Sequence, residues 1–269
     1  MNNKIYRNMI AGLAVFTVML VPWQSVLARH EATIVLTSGR RAEGVVRYLP
    51  ASRSYEITAR GATTEVRVDE VAEIMLSQQP EGLQQALQDV ARQRYQQAIP
   101  VLSRVVENYT MMGPDREAAQ ALMQAYLRTG RSSDALRTGE TMIRRDARLE
   151  RRPAFASVYW EALLEEERVS TLRTSISTAI QSGPRDLAAV GLLRRGDLEM
   201  REGRHREALI DGYLRVVLLF RDVADVQPEA LYKAIRAHEA LNEVNYAERW
   251  RQQLLSGHAT SEFAQRLRD

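Results

Sequence analysis

The histidines and glutamates of this chain are the side chains whose types could support metal or acid–base chemistry. The four histidines lie far apart in the sequence: His30, His205, His238 and His258. Such dispersion does not predict a metal site, and the run Glu165–Glu167 would point in three different directions on a helix. The motifs of zinc proteases, serine hydrolases, P-loop ATPases and dinucleotide-binding enzymes do not occur in the sequence. We therefore expect no catalytic residues, no metal site and no cofactor, and we interpret the protein as a non-enzyme.

The N-terminus has the pattern of an export signal. Lys4 and Arg7 precede an apolar run, and a cleavage site of the small-residue type ends at Ala28. An uncleaved anchor is the alternative, but about 13 apolar residues are fewer than the about 20 that a spanning helix needs. The chain has no cysteine, which excludes disulfides and a lipid-modified N-terminal cysteine. We predict a signal peptide over residues 1–28, cleaved after Ala28, and a periplasmic mature protein with no stable membrane span.

The charge balance argues against nucleic acid as a partner. The full chain has 37 basic and 34 acidic residues, and removal of the signal peptide leaves 35 basic residues against the same 34 acidic ones. The arginines are interspersed with Glu and Asp, a pattern typical of a solvated, ion-paired surface. A phosphate-binding face needs a basic excess. We therefore predict that the protein binds no nucleic acid.

Residues 33–75 alternate between apolar and polar types, which predicts five short strands. Between Ile34 and Val46, glycines at Gly39 and Gly44 would allow a tight first turn and a bent second strand. This arrangement resembles the opening of SH3-like and Sm-like barrels, and the resemblance implies a small closed barrel. An Sm-like barrel suggests RNA, which the balanced charge opposes. A docking or capping module for the rest of the chain and a module that binds cell-wall material are the other interpretations.

The domain boundaries follow from the change of apolar period. We predict a small β domain over residues 29–76, a linker over 77–81 and a helical array over 82–269. Pro80 supports the linker, because proline begins a helix more readily than it continues a strand.

A repeat of nearly constant length occupies the C-terminal two thirds. Five positions recur at spacings of 37, 36, 37 and 39 residues: Ala98, Ala135, Thr171, Ala208 and Ala247. A period near 37 is typical of an array of helical hairpins. Four prolines each precede an apolar run of helical period: Pro114, Pro153, Pro184 and Pro228. A turn is expected five residues before each repeated position, at Gln93, Gly130, Glu166, Gly203 and Asn242.

The fourth unit, from Arg195 to Leu209, is similar to the L-G-x-x-Y-x-x-x-G-x-Y-x-x-A-I core of tetratricopeptide repeats (TPRs). The chain resembles this family over roughly residues 80–267. The resemblance implies a right-handed α-α superhelix of about five TPR-like hairpins, so we expect a mainly α fold preceded by a small all-β barrel-like domain. The pattern departs from the family at Thr171, where alanine is usual, and at Arg195, where a large apolar residue is usual.

Small and turn-forming residues at fixed positions would define the hairpins. These predicted structural positions are Ala98, Gly130, Ala135, Gly196, Gly203, Ala208, Asn242 and Ala247. A small residue lets the two helices of a hairpin approach closely. Because each hairpin buries its apolar face only against its neighbours, the ends of the array need covers. We predict a C-terminal capping helix over residues 260–268, with Phe263, Ala264 and Leu267 on one face.

The resemblance also implies a binding surface. TPR proteins bind partners, usually peptides, along the concave face made by the first helix of each hairpin. Carried over by spacing, the groove positions are Gln120, Gln124, Arg128, Trp160, Asp197, Arg201, Tyr232 and Arg236. Aromatic residues and arginine are favoured at protein interfaces. The alternative is that Trp160 packs against a neighbouring helix and the arginines pair with nearby acids.

These observations lead to a functional hypothesis. We expect a non-enzymatic periplasmic TPR scaffold or adaptor that binds a protein or peptide partner of a cell-envelope machine, similar to the TPR proteins of Tol–Pal-type or outer-membrane assembly systems. The alternatives are a self-associating structural component of an envelope assembly, with a homo-oligomer, and a cell-wall-binding module.

Overall fold

The computed structural model describes residues 28–268, so the predicted signal peptide lies outside the described residues except for Ala28. The described chain is mainly helical and begins with a five-stranded antiparallel sheet. The strands are β1 His30–Leu36, β2 Arg41–Leu49, β3 Ser54–Ala59, β4 Ala62–Arg67 and β5 Val71–Leu76.

The sheet is open, and the closed barrel expected from the sequence is not formed. The strand order is β4-β3-β2-β1-β5, which leaves β4 and β5 as its two edges. One face buries apolar side chains of the three central strands, among them Ile34, Val46 and Ile57. In β4 only Val66 is buried, so this strand offers little apolar surface with which to close a barrel. Gly44 of β2 lies against β3, where a Cβ would stand 2.5 Å from the carbonyl oxygen of Thr58.

Helices follow the sheet to the end of the described chain. They are α1 Leu83–Ala91, α2 Tyr95–Asn108, α3 Pro114–Arg128, α4 Ser132–Arg145, α5 Pro153–Glu165, α6 Val169–Ser182, α7 Arg185–Arg201, α8 His205–Glu207, α9 Leu214–Leu219, α10 Gln227–Ala240, α11 Val244–Gly257 and α12 Glu262–Arg266. A π-helical segment, Ala208–Tyr213, joins α8 to α9. These helices form five hairpins with α1, α3, α5, α7 and α10 as their first helices.

The turn inside each hairpin contains one residue with a left-handed backbone. Their φ values are 60°, 72°, 55°, 74° and 58° at Gln93, Gly130, Glu167, Gly203 and Asn242. Four of these positions are those that the spacing predicts. The third lies at Glu167, one residue after the predicted Glu166.

This shift means that the third repeat position is Leu172 and not Thr171. Leu172 is buried, whereas Thr171 is exposed. The Leu172 N–H donates to the carbonyl of Arg168, just as the Ala135 N–H donates to the carbonyl of Arg131. The sequence spacing misassigned this unit because it lacks a turn glycine. At 3.6 residues per turn, a one-residue shift rotates the assigned helix face by about 100°.

Glycine allows the fourth hairpin to pack closely. A Cβ at Gly212 would lie 2.6 Å from the Cα of Gly196, so α7 and the π-helical segment touch backbone to backbone. A Cβ at Gly196 would also collide with the ring of Tyr213. The π-helical segment widens the second helix of this hairpin, in the unit that precedes the longest spacing of the repeat.

The sheet docks on the loop between α2 and α3. Met111 and Met112 of this loop are buried in the apolar core of the sheet. The Tyr55 hydroxyl donates to the carbonyl of Met111 at 2.7 Å. At the other end of the contact, His30 stacks on Tyr109 with ring centroids 4.0 Å apart. The sheet is therefore attached at the junction of the first two hairpins.

A single apolar cluster runs through the array from Leu83 to Ala264. At its C-terminal end, Ser261 caps α12 by accepting from the Ala264 N–H, and Ala264 is fully buried. Among residues 28–268, none of the helices combines the length and the apolar character that crossing a membrane requires.

Candidate functional site

The first helices of the hairpins carry the candidate surface, which we call the inner face. It consists of side chains on α3, α5, α7 and α10 that lie the same number of residues before the repeated position of their own hairpin. Of the predicted groove residues, Gln120, Gln124 and Arg128 lie half-buried on α3. Gln120 and Gln124 make no side-chain hydrogen bond to any residue of the described range.

Trp160 does not lie on the inner face. Its side chain is 1% exposed and belongs to the core of the array. The indole N–H donates to the carboxylate of Glu150 at 3.2 Å. The physical reason is the one-residue shift of the third unit, which turns Trp160 inward and puts Glu161 at the equivalent groove position.

A series of ion pairs connects the inner face of α3 to that of α5 and α7. Arg128 on α3 lies 2.9 Å from the carboxylate of Glu161 on α5. Glu161 in turn lies 3.9 Å from the guanidinium of Arg194 on α7. Burial lowers the pKa of Arg128, but the charge of Glu161 outweighs it and the pKa stays above its ordinary value. Arg128 therefore remains charged and already has a partner.

Arg194 is the centre of this series. Its side chain is 2% exposed, and it contacts Asp197 at 2.6 Å and Glu229 of α10 at 2.8 Å. It also donates to the carbonyl and hydroxyl of Ser157 on α5. Burial alone would lower the pKa of Arg194, yet the charges of Glu229, Asp197 and Glu161 hold it well above its usual value. A charged side chain can be buried when it is paired, and Arg194 has carboxylate partners on α5, α7 and α10.

Asp197, predicted as a groove residue, is used in the same network. Its carboxylate accepts from Lys233 of α10 at 2.6 Å and from the Tyr213 hydroxyl at 2.9 Å. Burial raises the pKa of Tyr213, and the neighbouring Asp197 charge raises it further, so the phenol stays protonated and donates. Lys233 also contacts Glu229 at 2.7 Å. We call the set Arg128, Glu161, Arg194, Asp197, Glu229 and Lys233 the ion-pair ladder.

The three remaining predicted groove residues also have partners within the protein. Arg201 pairs with Glu165 at 3.0 Å. Tyr232 is half-buried beneath Phe263 of α12, with ring centroids 5.8 Å apart. Arg236 keeps 60% of its side-chain surface exposed while it pairs with Glu239. On the inner face, Arg236 and the two glutamines of α3 are therefore more available to a binding partner than the other predicted groove residues are.

Sequence reasoning missed four members of the ladder: Glu161, Arg194, Glu229 and Lys233. A signal was present, since basic and acidic residues are separated by nearly one repeat: Arg128 and Glu161 by 33 residues, Asp197 and Lys233 by 36. Residues one repeat apart lie side by side on successive first helices. Opposite charges at that spacing indicate pairing across the array.

The buried histidine of the array, His238, has structural partners. His238 is buried, and its Nδ1 lies 2.8 Å from the carboxylate of Glu243. Its Nε2 accepts from the Trp250 indole at 3.3 Å, which assigns the proton to Nδ1. Within residues 28–268 no group of three or more His, Asp or Glu side chains has an arrangement that could hold a metal ion.

The outer helices carry exposed apolar side chains that the sequence reasoning also missed. Ile210 of the π-helical segment and Val244 and Tyr246 of α11 are 55%, 71% and 57% exposed. An ion pair at 3.0 Å between Arg206 of α8 and Glu243, the residue before α11, connects the fourth and fifth hairpins. We call Ile210, Val244 and Tyr246 the outer patch.

Comparisons with known proteins agree with the repeat architecture. A solved structure described as a thermophilic TPR protein, TTC0263, in Thermus thermophilus superposes with a TM-score of 0.51. It is 21% identical over 69% of this chain and 94% of its own. No family model matches the chain, and no curated protein matches it. The similarity concerns the fold alone: the array of this chain is a TPR-like helical repeat.

Proposed function

We propose that the protein is a non-enzymatic periplasmic adaptor whose inner face binds a protein or peptide segment of a cell-envelope machine. The TPR-like array supports the proposal, because its first helices carry polar side chains from successive units on one surface. The export pattern of residues 1–28 supports the location.

The exposed Arg236 is the observation that carries the choice of surface. It lies on the inner side of α10, one turn from Tyr232, and more than half of its side chain faces solvent. Arginine that is exposed in the free protein and flanked by an aromatic ring is typical of interface centres. Gln120 and Gln124 provide unpaired amides on α3 of the same face.

The test is capture of partners from a bacterial envelope extract on the immobilised mature chain, residues 29–269. Arg236→Glu reverses the charge on the inner face, and Arg249→Glu makes the same change at an exposed position of α11. We expect a specific protein to be retained by the wild type and by Arg249→Glu and lost from Arg236→Glu. Equal retention by both variants would reject the inner face as the binding surface.

The outer patch favours a second function, a self-associating component of an envelope assembly. Ile210, Val244 and Tyr246 are large apolar side chains that are each more than half exposed, and exposed apolar surface is typical of association sites. A second copy would remove them from water. Light scattering on the purified chain tests this function: a dimer that Val244→Asp converts to a monomer supports it, and a monomer at the highest soluble concentration contradicts it.

A further inference from the structure

Three cavities lie along the seam where the sheet meets the array. Their volumes are about 670, 620 and 310 Å³. Arg53 of the sheet and Arg145 of α4 line both larger cavities. Arg148 lines the second and the third. The three cavities therefore adjoin one another along the seam, and we call them together the seam cleft.

The seam cleft is basic in a chain that is otherwise nearly neutral. Its walls hold seven arginines against four carboxylates. Two of the carboxylates are already neutralised within the walls, since Asp146 lies 2.8 Å from Arg148 and Asp69 lies 2.9 Å from Arg67. Burial raises the pKa of Asp146, but its hydrogen bonds with Arg148 outweigh that effect and keep the pKa below its ordinary value. Asp146 therefore remains an anion with its own partners.

The excess of arginines over carboxylates lies around the largest cavity. Arg53, Arg144 and Arg145 form no ion pair with any residue of the described chain, residues 28–268. Arg144 donates to the hydroxyl of Thr141, and Arg145 makes a weak contact with the sulfur of Met142. The one carboxylate among the residues that line this cavity is Glu107, which is also without an ion pair in the described range.

The positions of these arginines are fixed by both parts of the protein. Arg53 lies in the turn between β2 and β3, and its carbonyl accepts from the Val68 N–H at 3.1 Å. Arg144 and Arg145 close the last turn of α4. The contact of the sheet with Met111 holds the two walls together. Arg53, Arg144 and Arg145 thus line one cavity from a sheet and a helix that are in contact through this loop.

We propose that the seam cleft binds an acidic peptide segment of a partner protein, whose carboxylates pair with Arg53, Arg144 and Arg145. Arginine binds carboxylates with two parallel hydrogen bonds, which makes it suited to such ligands. The largest cavity has the size of a ligand site, within the usual range of about 300–1,000 Å³. Its continuation into the second cavity suits an extended chain more than a single small anion. This surface is separate from the inner face, and the proposal does not depend on Arg236.

Fluorescence anisotropy with a labelled octaglutamate peptide tests the proposal on the mature chain. We expect saturable binding at low ionic strength that weakens as salt is added. The double variant Arg53→Glu and Arg144→Glu should lower the affinity at least about tenfold. Both residues are exposed, so circular dichroism should show the fold of the wild type. Arg249→Glu carries a charge reversal on α11 and should bind as the wild type does.

A gain-of-function variant gives a result that misfolding cannot produce. Glu107→Gln removes the unpaired carboxylate of the largest cavity and should raise the affinity for octaglutamate. Unchanged binding by the double variant, equal binding of octalysine, or full competition by inorganic phosphate would overturn the proposal. Stronger competition by duplex DNA or by anionic lipid vesicles than by unlabelled octaglutamate would overturn the assignment to a peptide. Arg236→Glu should leave the affinity unchanged, which separates this test from that of the inner face.

Discussion

The guanidinium of Arg194 on α7 lies 2.8 Å from the carboxylate of Glu229 on α10, one hairpin further along the array. The pair is enclosed, since Arg194 is almost fully buried. Lys233 lies on the other side of the same carboxylate. This arrangement makes the contact between the fourth and fifth hairpins partly electrostatic, and it leads to the first two predictions.

Replacement of Arg194 by methionine should destabilise the protein by about 3 kcal/mol, because removing one partner of a buried pair leaves the others uncompensated. Within residues 28–268, Asp197 and Glu229 would keep Lys233 as their one charged partner. Urea unfolding followed by circular dichroism gives the free energy of unfolding. Arg236→Met is the control, since loss of an exposed pair costs at most about 1 kcal/mol. Equal losses in the two variants would contradict a structural role of the ladder.

The stability contributed by Glu229 should disappear in acid. Burial raises the pKa of Glu229, but the charges of Arg194 and Lys233 outweigh it and hold the pKa well below its ordinary value. The folded state therefore binds this proton less tightly than the unfolded state does. The stabilisation is present above the ordinary glutamate pKa of about 4.3 and is lost as the pH falls below it.

The measurement is the difference in unfolding free energy between the wild type and Glu229→Gln as a function of pH. We expect the wild type to be more stable at neutral pH and the difference to shrink below about pH 4. Burial raises the pKa of Asp115, which gives a pH dependence of the opposite sign. Asp115 is present in both proteins, so its contribution cancels. A difference that does not vary with pH would refute the electrostatic origin.

Gly196→Ala should destabilise the fourth hairpin by about 1–3 kcal/mol, the usual cost of overpacking a core. The added methyl group would collide with the ring of Tyr213. Gly257→Ala is the matched control, because nothing lies within 4 Å of a Cβ at that position of α11. Alanine there should stabilise the helix by up to about 1 kcal/mol. The two variants should therefore shift the melting temperature in opposite directions.

The turn of the third hairpin gives a test of the corrected register. Glu167 has φ 55°, so Glu167→Gly should stabilise the protein by about 1 kcal/mol by relieving the left-handed strain. Glu166 has φ −90° and accepts from the Ser132 hydroxyl at 2.5 Å. Glu166→Gly should therefore destabilise it. Thermal melting of both variants distinguishes the assignments, and stabilisation at position 166 would restore the register predicted from the spacing.

The sequence predicted the hairpins best where a residue type marks the turn. Gly130, Gly203 and Asn242 each lie at the left-handed position that the spacing assigns. The third hairpin has glutamate there, which carries no conformational signal, and the spacing alone left an error of one residue. On a helix that error exchanges a buried position for an exposed one, which is why Trp160 was assigned to the groove and Glu161 was missed.

The closure of the sheet and the position of the seam cleft depend on contacts between distant residues, which a local sequence pattern does not specify. Alternation predicted strands where the structure has them, but closure depends on whether β4 and β5 meet, and alternation does not specify a strand's neighbours. Arg53 and Arg144 are 91 residues apart in the sequence. Their common cleft exists because Met111 and Met112 hold the sheet against the array, a contact between regions that sequence patterns treat separately.

The ion-pair ladder also bears on the mechanics of the array. It connects α3, α5, α7 and α10, so a load that moves these helices apart must separate opposite charges at several consecutive joints. Bending of that part is therefore costly. The sheet is anchored at the joint between the first and second hairpins, and the ladder begins at the next joint, between α3 and α5. A pull on the sheet therefore reaches the ladder through α3, and the paired helices beyond α3 resist bending.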